Sequence, residues 1–160
     1  MYAKFEDEPD EIDLKLLSML VKNGRVTNKE MARNINLSEP ATKQRVEKLI
    51  KKGYIKGFTA KIDHSRLGYN MAFHTMASVK SASHSAEVAQ KLMELPEISS
   101  VDSVTGMYDL IIKGRVKDQD HLYKTLKKIQ EIEYISHILT MMVIKSMGEK
   151  EAFDFNSCNW

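Results

Sequence analysis

The sequence is poor in cysteine, and it has no long apolar run. Its single cysteine, Cys158, excludes an internal disulfide framework and a metal site built from several cysteines. No segment approaches the ~20 apolar residues that a membrane-spanning helix needs, which excludes an integral membrane protein. The first 13 residues are acidic and lack the basic stretch and apolar core of a secretory signal. We therefore expect a cytoplasmic protein.

The sequence also lacks the residue sets that carry catalysis. No glycine-rich phosphate loop precedes a helix, since the run from Gly106 to Asp109 is short and lies between two predicted strands. The histidines show no metal-ligand spacing. They are His64, His74, His84, His121 and His137. No nucleophile can be placed beside a base and a group that orients it. We therefore expect no enzyme activity, no metal and no cofactor.

The chain combines ordinary globular composition with an uneven distribution of charge. Its 160 residues, 42% hydrophobic and 29% charged, suffice for one medium domain or two small ones. Residues 1–21 carry a net charge of −4, residues 22–61 a net charge of +8 and residues 62–160 a net charge of −2. A basic block in a near-neutral chain is typical of nucleic-acid-binding modules, although a solvated lysine-rich helix surface gives the same pattern.

Capping residues predict three helices in the first third of the chain. Asp10, with Asp13 three positions later, predicts the start of the first helix. Thr27 and Glu30 have the spacing of a capping box for a short second helix. Ser38 is the predicted cap of the third helix, which follows the second after a tight connection.

The third helix and the segment after it carry the next predictions. Val46, Leu49 and Ile50 are expected to face the core because they recur at helical spacing. Thr42 is expected to be half-buried against the second helix. The segment from Tyr54 to Ile62 alternates apolar and polar residues, which predicts a strand.

The tight connection between the second and third helices is typical of the helix-turn-helix, whose later helix enters the major groove of DNA. Glutamine can pair with adenine, lysine can donate to guanine or phosphate, and small residues can touch the thymine methyl group. The predicted DNA-binding residues are Ser38, Pro40, Ala41, Lys43, Gln44, Arg45, Lys48, Lys51, Lys52 and Lys56. Arg45 has two interpretations, contact with phosphate or pairing with an acidic residue of its own domain. A small three-helix bundle that binds no DNA is the alternative for the whole segment.

From residue 71 the pattern changes to strand, helix, strand, strand, helix, strand. The predicted strands span residues 71–79, 98–104, 109–116 and 134–147. Ser83 or Ser85 is expected to cap the first of the two helices and Asp118 the second. This order predicts a ferredoxin-like βαββαβ domain with both helices on one face of its sheet. Apolar residues on the other face predict a symmetric dimer.

Five segments, in the correct order, resemble the Lrp/AsnC (feast/famine) transcription regulators. They are residues 10–17 (DEIDLKLL), Leu37-Ser38, residues 53–60 (GYIKGFTA), residues 67–69 (LGY) and residues 104–110 (VTGMYDL). The resemblance implies an α+β chain with an N-terminal winged helix-turn-helix and a C-terminal αβ-sandwich ligand domain, often called RAM. It also implies dimerisation through the ligand domain and further assembly into tetramers or octamers.

The resemblance further implies an effector site, because family members commonly bind an amino acid between subunits beside a Gly-x-Tyr-Asp turn. Backbone N–H groups in a turn can hold a carboxylate, and a nearby acid can hold an ammonium group. The residues assigned in this way are Thr105, Gly106, Met107, Tyr108 and Asp109, with Ser136, His137 and Thr140 of the last strand as the facing wall. Met107 replaces the polar residue common in relatives, and Thr42 replaces an aliphatic one.

The predicted division is a winged helix-turn-helix domain (residues 1–62), a linker (63–70), a ligand-binding and oligomerisation domain (71–148) and a C-terminal tail (149–160). The predicted function is a sequence-specific DNA-binding transcription regulator that is modulated by an amino acid bound between subunits. Its expected partners are double-stranded DNA and further copies of the chain. An architectural DNA-binding protein without an effector is the first alternative. An amino-acid-metabolism enzyme or sensor that binds RNA or protein is disfavoured by the missing catalytic set.

Overall fold

A computed structural model describes residues 8–148 of the chain. The described residues form two compact units, which divide between Lys61 and Ile62. Among them, no helix has both the length and the apolar character needed to cross a membrane. The predicted C-terminal tail and its residue Cys158 lie outside the described residues.

The first unit contains three helices at the predicted places. Helix α1 spans Glu11–Lys22, α2 spans Asn28–Ile35 and α3 spans Glu39–Lys51. The Asp10 carboxylate accepts from the Asp13 N–H, and the Asp13 carboxylate accepts from the Asp10 N–H. Thr27 and Glu30 form the same reciprocal pair at α2, and the Ser38 hydroxyl caps α3. The predicted caps are confirmed, because each depends only on residues three positions apart.

The core of this unit is formed by Leu16, Met31 and Leu49. Thr42 is fully buried rather than half-buried, and its hydroxyl donates to a backbone carbonyl of the preceding turn at 3.0 Å. The predicted burial of Ile50 is wrong, since this side chain is 45% exposed. Successive helical side chains are about 100° apart, so a helix that buries Thr42 and Leu49 turns Ile50 away from the core.

The predicted strand from Tyr54 to Ile62 does not form. The side chains of Tyr54, Phe58 and Ile62 are 43%, 55% and 51% exposed, whereas Ile55 is half-buried and packs against the core of the first unit. A strand needs a neighbouring strand to satisfy its backbone hydrogen-bonding groups. The described part of the chain supplies no strand that pairs with this segment.

The second unit is a four-stranded antiparallel sheet packed against two helices. Its elements are β1 (Met71–Val79), α4 (Ser85–Met93), β2 (Ile98–Ser103), β3 (Leu110–Val116), α5 (Gln119–Glu131) and β4 (Ile135–Val143). The strand order β2-β3-β1-β4 confirms the ferredoxin-like βαββαβ arrangement. Alternate residues of β1, among them Phe73 and Ala77, are buried in a core that also contains Val88 and Leu92 of α4 and Ile129 of α5.

Apart from single residues at strand ends, two details of this unit differ from the prediction. Neither Ser83 nor Ser85 caps α4, because a short 3-10 turn leads into the helix and His84 precedes it without a side-chain cap. Strand β4 ends at Val143 rather than residue 147, because its ladder with β1 stops at the Ala72–Val143 pair. The predicted cap of α5 is confirmed, since the Asp118 side chain accepts from a backbone N–H of its first turn.

Gly114 of β3 lies where a backbone carbonyl and a core ring approach the strand closely. A Cβ atom at this position would lie 2.5 Å from Phe73 Cζ and 2.8 Å from the Glu97 carbonyl oxygen. The Arg115 N–H donates to the same Glu97 carbonyl at 2.9 Å, which holds that backbone in place. The packing of the sheet at this point therefore depends on the absence of a side chain.

Candidate functional site

The solvent side of α3 is a row of side chains spaced three and four residues apart. The exposed residues of α3 other than Glu39 and Ile50, hereafter the α3 stripe, are Pro40, Lys43, Gln44, Glu47, Lys48 and Lys51. Ser38 lies at the start of the helix as its cap, and Ala41 is half-buried beside the stripe. Thr42 and Leu49 are the buried residues of the helix. The structure thus brings most of the predicted DNA-binding residues onto one surface.

Two further predicted residues follow the stripe. Lys52 is half-buried at the C-terminal end of α3, and Lys56 is exposed in the segment after it. Cations in the last turn of a helix also interact favourably with its unpaired carbonyl groups. Lys51, Lys52 and Lys56 extend the positive surface beyond the end of the helix, a position suited to contacts with DNA phosphates.

Arg45 pairs with two acids at the start of α1, which is the contact that one of its two interpretations predicts. Its Nη1 atom lies 2.6 Å from Asp10 Oδ2 and 2.8 Å from Asp13 Oδ1. The hydrogen bonds that Arg45 donates to Asp13 and then to Asp10 raise the pKa of Arg45. Burial acts to raise the pKa of Asp10, but hydrogen bonds from the Asp13 N–H and from Arg45 outweigh it and lower that pKa below its usual value. A carboxylate whose pKa is lowered by folding stabilises the folded state at neutral pH. This stabilisation is lost as the pH falls through the folded-state pKa.

The α3 stripe combines ammonium groups, an amide and a carboxylate. Lys43 Nζ lies 3.8 Å from Glu47 Oε1, and these side chains are 65% and 63% exposed. Gln44 offers a donor and an acceptor on one amide, which is the pattern that reads adenine. The major groove admits an α-helix, so the stripe has the shape and the hydrogen-bonding groups to reach base edges.

The turn between β2 and β3 carries the predicted effector residues. The Val104 N–H donates to the Asp109 carbonyl at 3.0 Å, and the Asp109 N–H donates to a backbone carbonyl of β1 at 3.0 Å. Gly106 has a φ of 131°, a conformation that favours glycine. Thr105 is exposed, and the Met107 side chain is 87% exposed. The tip of this turn is therefore open to solvent.

The end of the sheet beside this turn gathers most of the other predicted effector residues. The Val79 N–H at the end of β1 donates to Asp109 Oδ2 at 2.7 Å, so this carboxylate is already engaged within the fold. The Tyr108 ring stacks on the His137 ring of β4, with centroids 6.2 Å apart and an interplanar angle of 16°. The Ser136 hydroxyl donates to a β1 carbonyl at 3.1 Å.

Thr140 is not brought to this end of the sheet. Its hydroxyl lies 2.9 Å from the hydroxyl of the fully buried Thr75, so it belongs to the face that the helices cover. The alternation of side chains along a strand could have predicted this separation, because residues 137 and 140 are three positions apart and therefore face opposite sides of the sheet. Sequence reasoning missed Val79 and also Gln130, which lines a groove of about 370 Å³ with residues 135–138. Strand register and helix placement bring these two residues to the site.

A buried carboxylate lies at the opposite end of the sheet. Glu97 Oε1 lies 3.0 Å from His121 Nε2 and 3.3 Å from Lys128 Nζ, both on α5. Burial acts to raise the pKa of Glu97, but hydrogen bonds from His121 and Lys128, together with a backbone N–H, lower it below its usual value. This cluster ties α5 to the start of β2. Among residues 8–148, no three His, Cys, Asp or Glu side chains are grouped so that they could hold a metal ion.

Comparison with known proteins gives matches over both units. Residues 9–56 match a winged helix-turn-helix DNA-binding model, and residues 74–153 match the model of the Lrp/AsnC ligand-binding domain. The chain is 37% identical over 136 residues to the HTH-type transcriptional regulator FL11 of Pyrococcus furiosus, an alignment that covers 85% of this chain and 89% of that relative.

Solved structures share the whole fold. AsnC of E. coli is 28% identical, with a TM-score of 0.83 over 90% of this chain and 97% of that chain. The feast or famine regulatory protein Rv3291c of M. tuberculosis, complexed with L-methionine, is 23% identical, with a TM-score of 0.85 over 91% of this chain and 99% of that chain. At this lower identity the likeness is one of fold alone.

Proposed function

The chain belongs to the Lrp/AsnC family of transcriptional regulators, and from that premise we propose how it recognises DNA and responds to an effector. As a member of this family it is a transcription regulator rather than an enzyme. In the proposal, the α3 helices of a homodimer read the half-sites of a near-palindromic operator. An amino acid bound at the turn between β2 and β3 changes the affinity for that operator. The domain boundaries given above, and a cytoplasmic location where the operator is reached, are part of the same proposal.

The observation that carries DNA recognition is the α3 stripe. Lys43, Gln44 and Lys48 are exposed on one side of a helix that follows α2 after a three-residue connection. Residues 22–61, which include α3, have a net charge of +8. Attraction between this charge and the phosphates supplies affinity for any duplex, and hydrogen bonds from the stripe to base edges supply selectivity.

The homodimer is proposed from the face of the sheet that lies opposite the helices. Met76 of β1 pairs with Ile111 of β3 and with Leu139 of β4 at the centre of this face. Leu139 and its neighbour Met141 are 44% and 48% exposed. An apolar face of this kind is normally covered, and a second copy related by a two-fold axis would cover it. Sedimentation equilibrium is expected to give at least twice the chain mass of 18.3 kDa, with tetramers or octamers as larger assemblies; a monomer at micromolar concentration would rule this dimer out.

The effector is proposed to be an amino acid held at the turn between β2 and β3. Exposed backbone N–H groups of a turn can bind a carboxylate, and Thr105 and Gly106 are exposed at the tip. Asp109 provides the negative charge that an ammonium group needs nearby, and the Tyr108–His137 stack forms a wall beside it. The L-methionine complex of Rv3291c, a protein of the same fold, supports an effector of this class.

The whole proposal is tested by DNA binding with and without amino acids. The probes are a fragment from upstream of the protein's own gene and a scrambled fragment, each at several salt concentrations. We expect tight binding to the upstream fragment alone, shifted by an amino-acid mixture. Linkage requires that the operator shift effector affinity by the same factor. Equal, steeply salt-dependent binding to both fragments, indifferent to amino acids, would instead indicate an architectural DNA-binding protein.

Replacing Asp109 with asparagine is expected to abolish the effector response and to leave effector-free DNA binding near the wild-type level. Asparagine keeps an oxygen that can accept from the Val79 N–H, but it removes the charge that holds the ammonium group. Asp109→Ala removes both and is expected to lower stability by about 1–3 kcal/mol, because the Val79 N–H loses its acceptor. The measurement is an effector titration of operator binding, with thermal unfolding beside it.

The matched control for this prediction is Asp120→Asn. Asp120 is an exposed acid in the first turn of α5, at the end of the sheet opposite the turn between β2 and β3, and it belongs to neither candidate site. Its replacement is expected to leave the titration unchanged. If Asp109→Asn gave the same titration as this control, Asp109 would have no place in the effector site.

A further inference from the structure

A carboxylate lies in the middle of the surface that is proposed to enter the major groove. Glu47 belongs to the α3 stripe between Lys43, one turn earlier, and Lys51, one turn later. Its side chain is 63% exposed, and its Oε1 atom lies 3.8 Å from Lys43 Nζ. DNA phosphates repel a carboxylate, so Glu47 weakens binding to any duplex in which it gains no hydrogen bond.

Glu47 contributes little to the stability of the folded chain. An exposed pair of side chains four positions apart contributes only weakly to stability, and a lysine that precedes the glutamate is the less favourable order. Three other acids of this unit have evident structural partners: Asp10 and Asp13 hold Arg45, and Glu30 closes the cap on Thr27. The position of Glu47 in the stripe therefore calls for a role outside the folded chain.

Base chemistry selects one partner for a carboxylate in the major groove. An ionised carboxylate only accepts hydrogen bonds, and the base edges offer two amino donors, cytosine N4 and adenine N6. Adenine places the acceptor N7 beside its amino group, which repels a carboxylate and suits the mixed amide of glutamine instead. Cytosine presents its amino group without that acceptor, so it is the base that matches Glu47.

We propose that Glu47 is a specificity-determining residue, which accepts a hydrogen bond from N4 of a cytosine in each half-site. On binding, Lys43 leaves Glu47 and donates to O6 or N7 of a guanine, so that each member of the 3.8 Å pair exchanges its partner for a base. Side chains four residues apart on a helix have Cβ atoms about 5–6 Å apart, which lets them reach the two bases of one G·C pair or of adjacent pairs. The inference rests on the proposed function, because it requires α3 to lie in the groove.

The test selects duplexes from a random pool with four full-length proteins: the wild type, Glu47→Gln, Glu47→Ala and the control Glu131→Gln. The control is matched, because Lys127 and Glu131 of α5 form the same lysine-first pair at 4.0 Å, with side chains 67% and 65% exposed. We expect the wild type and the control to enrich cytosine at one position of each half-site. Glu47→Gln should shift that position toward adenine, and Glu47→Ala should leave it without preference.

Affinities for the selected duplex and for one with thymine in place of that cytosine give the size of the effect. Discrimination is expected to be about tenfold for the wild type and to fall to about twofold or less for Glu47→Ala. Thermal unfolding of each variant should stay near the wild-type midpoint, since Glu47 is exposed.

Two results would overturn the inference and leave the proposed function intact. The first is that both Glu47 variants still bind DNA and keep the cytosine preference of the wild type. The other is tighter binding of Glu47→Ala to every duplex with the same base preferences, which would mean that Glu47 only repels phosphates. A wild-type protein with no base preference at any position would overturn both the inference and sequence-specific recognition.

Discussion

Replacing Lys43 and Gln44 together with alanine is expected to remove most of the preference for operator over scrambled DNA. Each base contact that is lost costs about 1–3 kcal/mol of discrimination, so the pair is expected to cost about 2–6 kcal/mol. Both side chains lie on the exposed α3 stripe, so the folded unit should keep its stability. The measurement is the ratio of the two dissociation constants at one fixed salt concentration, because phosphate attraction varies with salt.

The control for this double variant changes the same residue types elsewhere. Gln90 of α4 and Lys127 of α5 are both exposed in the second unit, and their joint replacement by alanine removes the same charge and the same amide. We expect the control to bind operator with wild-type selectivity. Operator selectivity that survives the Lys43 and Gln44 change would mean that α3 is not the recognition helix.

Replacing Gly114 with alanine is expected to lower the free energy of unfolding of the second unit by about 3 kcal/mol, at the upper end of the usual cost of overpacking a core. The new Cβ would lie 2.5 Å from Phe73 Cζ and 2.8 Å from the Glu97 carbonyl oxygen. Phe73 is fully buried, and the Glu97 carbonyl is held by the Arg115 N–H, so neither can withdraw without disturbing the sheet. Thermal or denaturant unfolding followed by circular dichroism measures the loss.

Gly57→Ala is the control for the change in backbone entropy. Nothing lies within 4 Å of a Cβ at Gly57, and the residue does not have a positive φ, so alanine is expected to be accommodated without strain. Its unfolding midpoint should stay close to that of the wild type. An equal midpoint for Gly114→Ala and Gly57→Ala would show that β3 can shift enough to admit a side chain.

The interactions that could be predicted are those between residues close together in the sequence. The caps at Asp10, Thr27 and Ser38 each join atoms three residues apart, and side-chain geometry over so short a span depends little on the rest of the fold. The same reasoning failed at Ile50 and at the segment after α3. Helical spacing permits Ile50 to be buried, but in the folded unit Thr42 is buried and Ile50 is exposed. Alternation permits a strand, but a strand also requires a partner.

The sequence predicted which segments carry the candidate sites, but not the contacts that their side chains make. The helix that carries Lys43 and Gln44, and the turn that carries Gly106, follow from local patterns and from resemblance. Sequence reasoning did not single out Glu47, although its spacing from Lys43 placed it on the same side of the helix. It also could not show that the Asp109 carboxylate is engaged by the Val79 N–H.

The sequence by itself determined the helices, the order of strands and helices in the second unit, the basic character of the first unit and the family. All of these depend on composition or on periodicities that one segment carries alone. Only the tertiary structure decided that Arg45 pairs with Asp10, that the Asp109 carboxylate accepts from the Val79 N–H at the end of β1, and that Thr140 joins Thr75 on the covered face. These three contacts span 35, 30 and 65 residues. The physical reason is that a hydrogen bond between distant residues forms only where register and packing bring both partners together, and neither is encoded within a single segment.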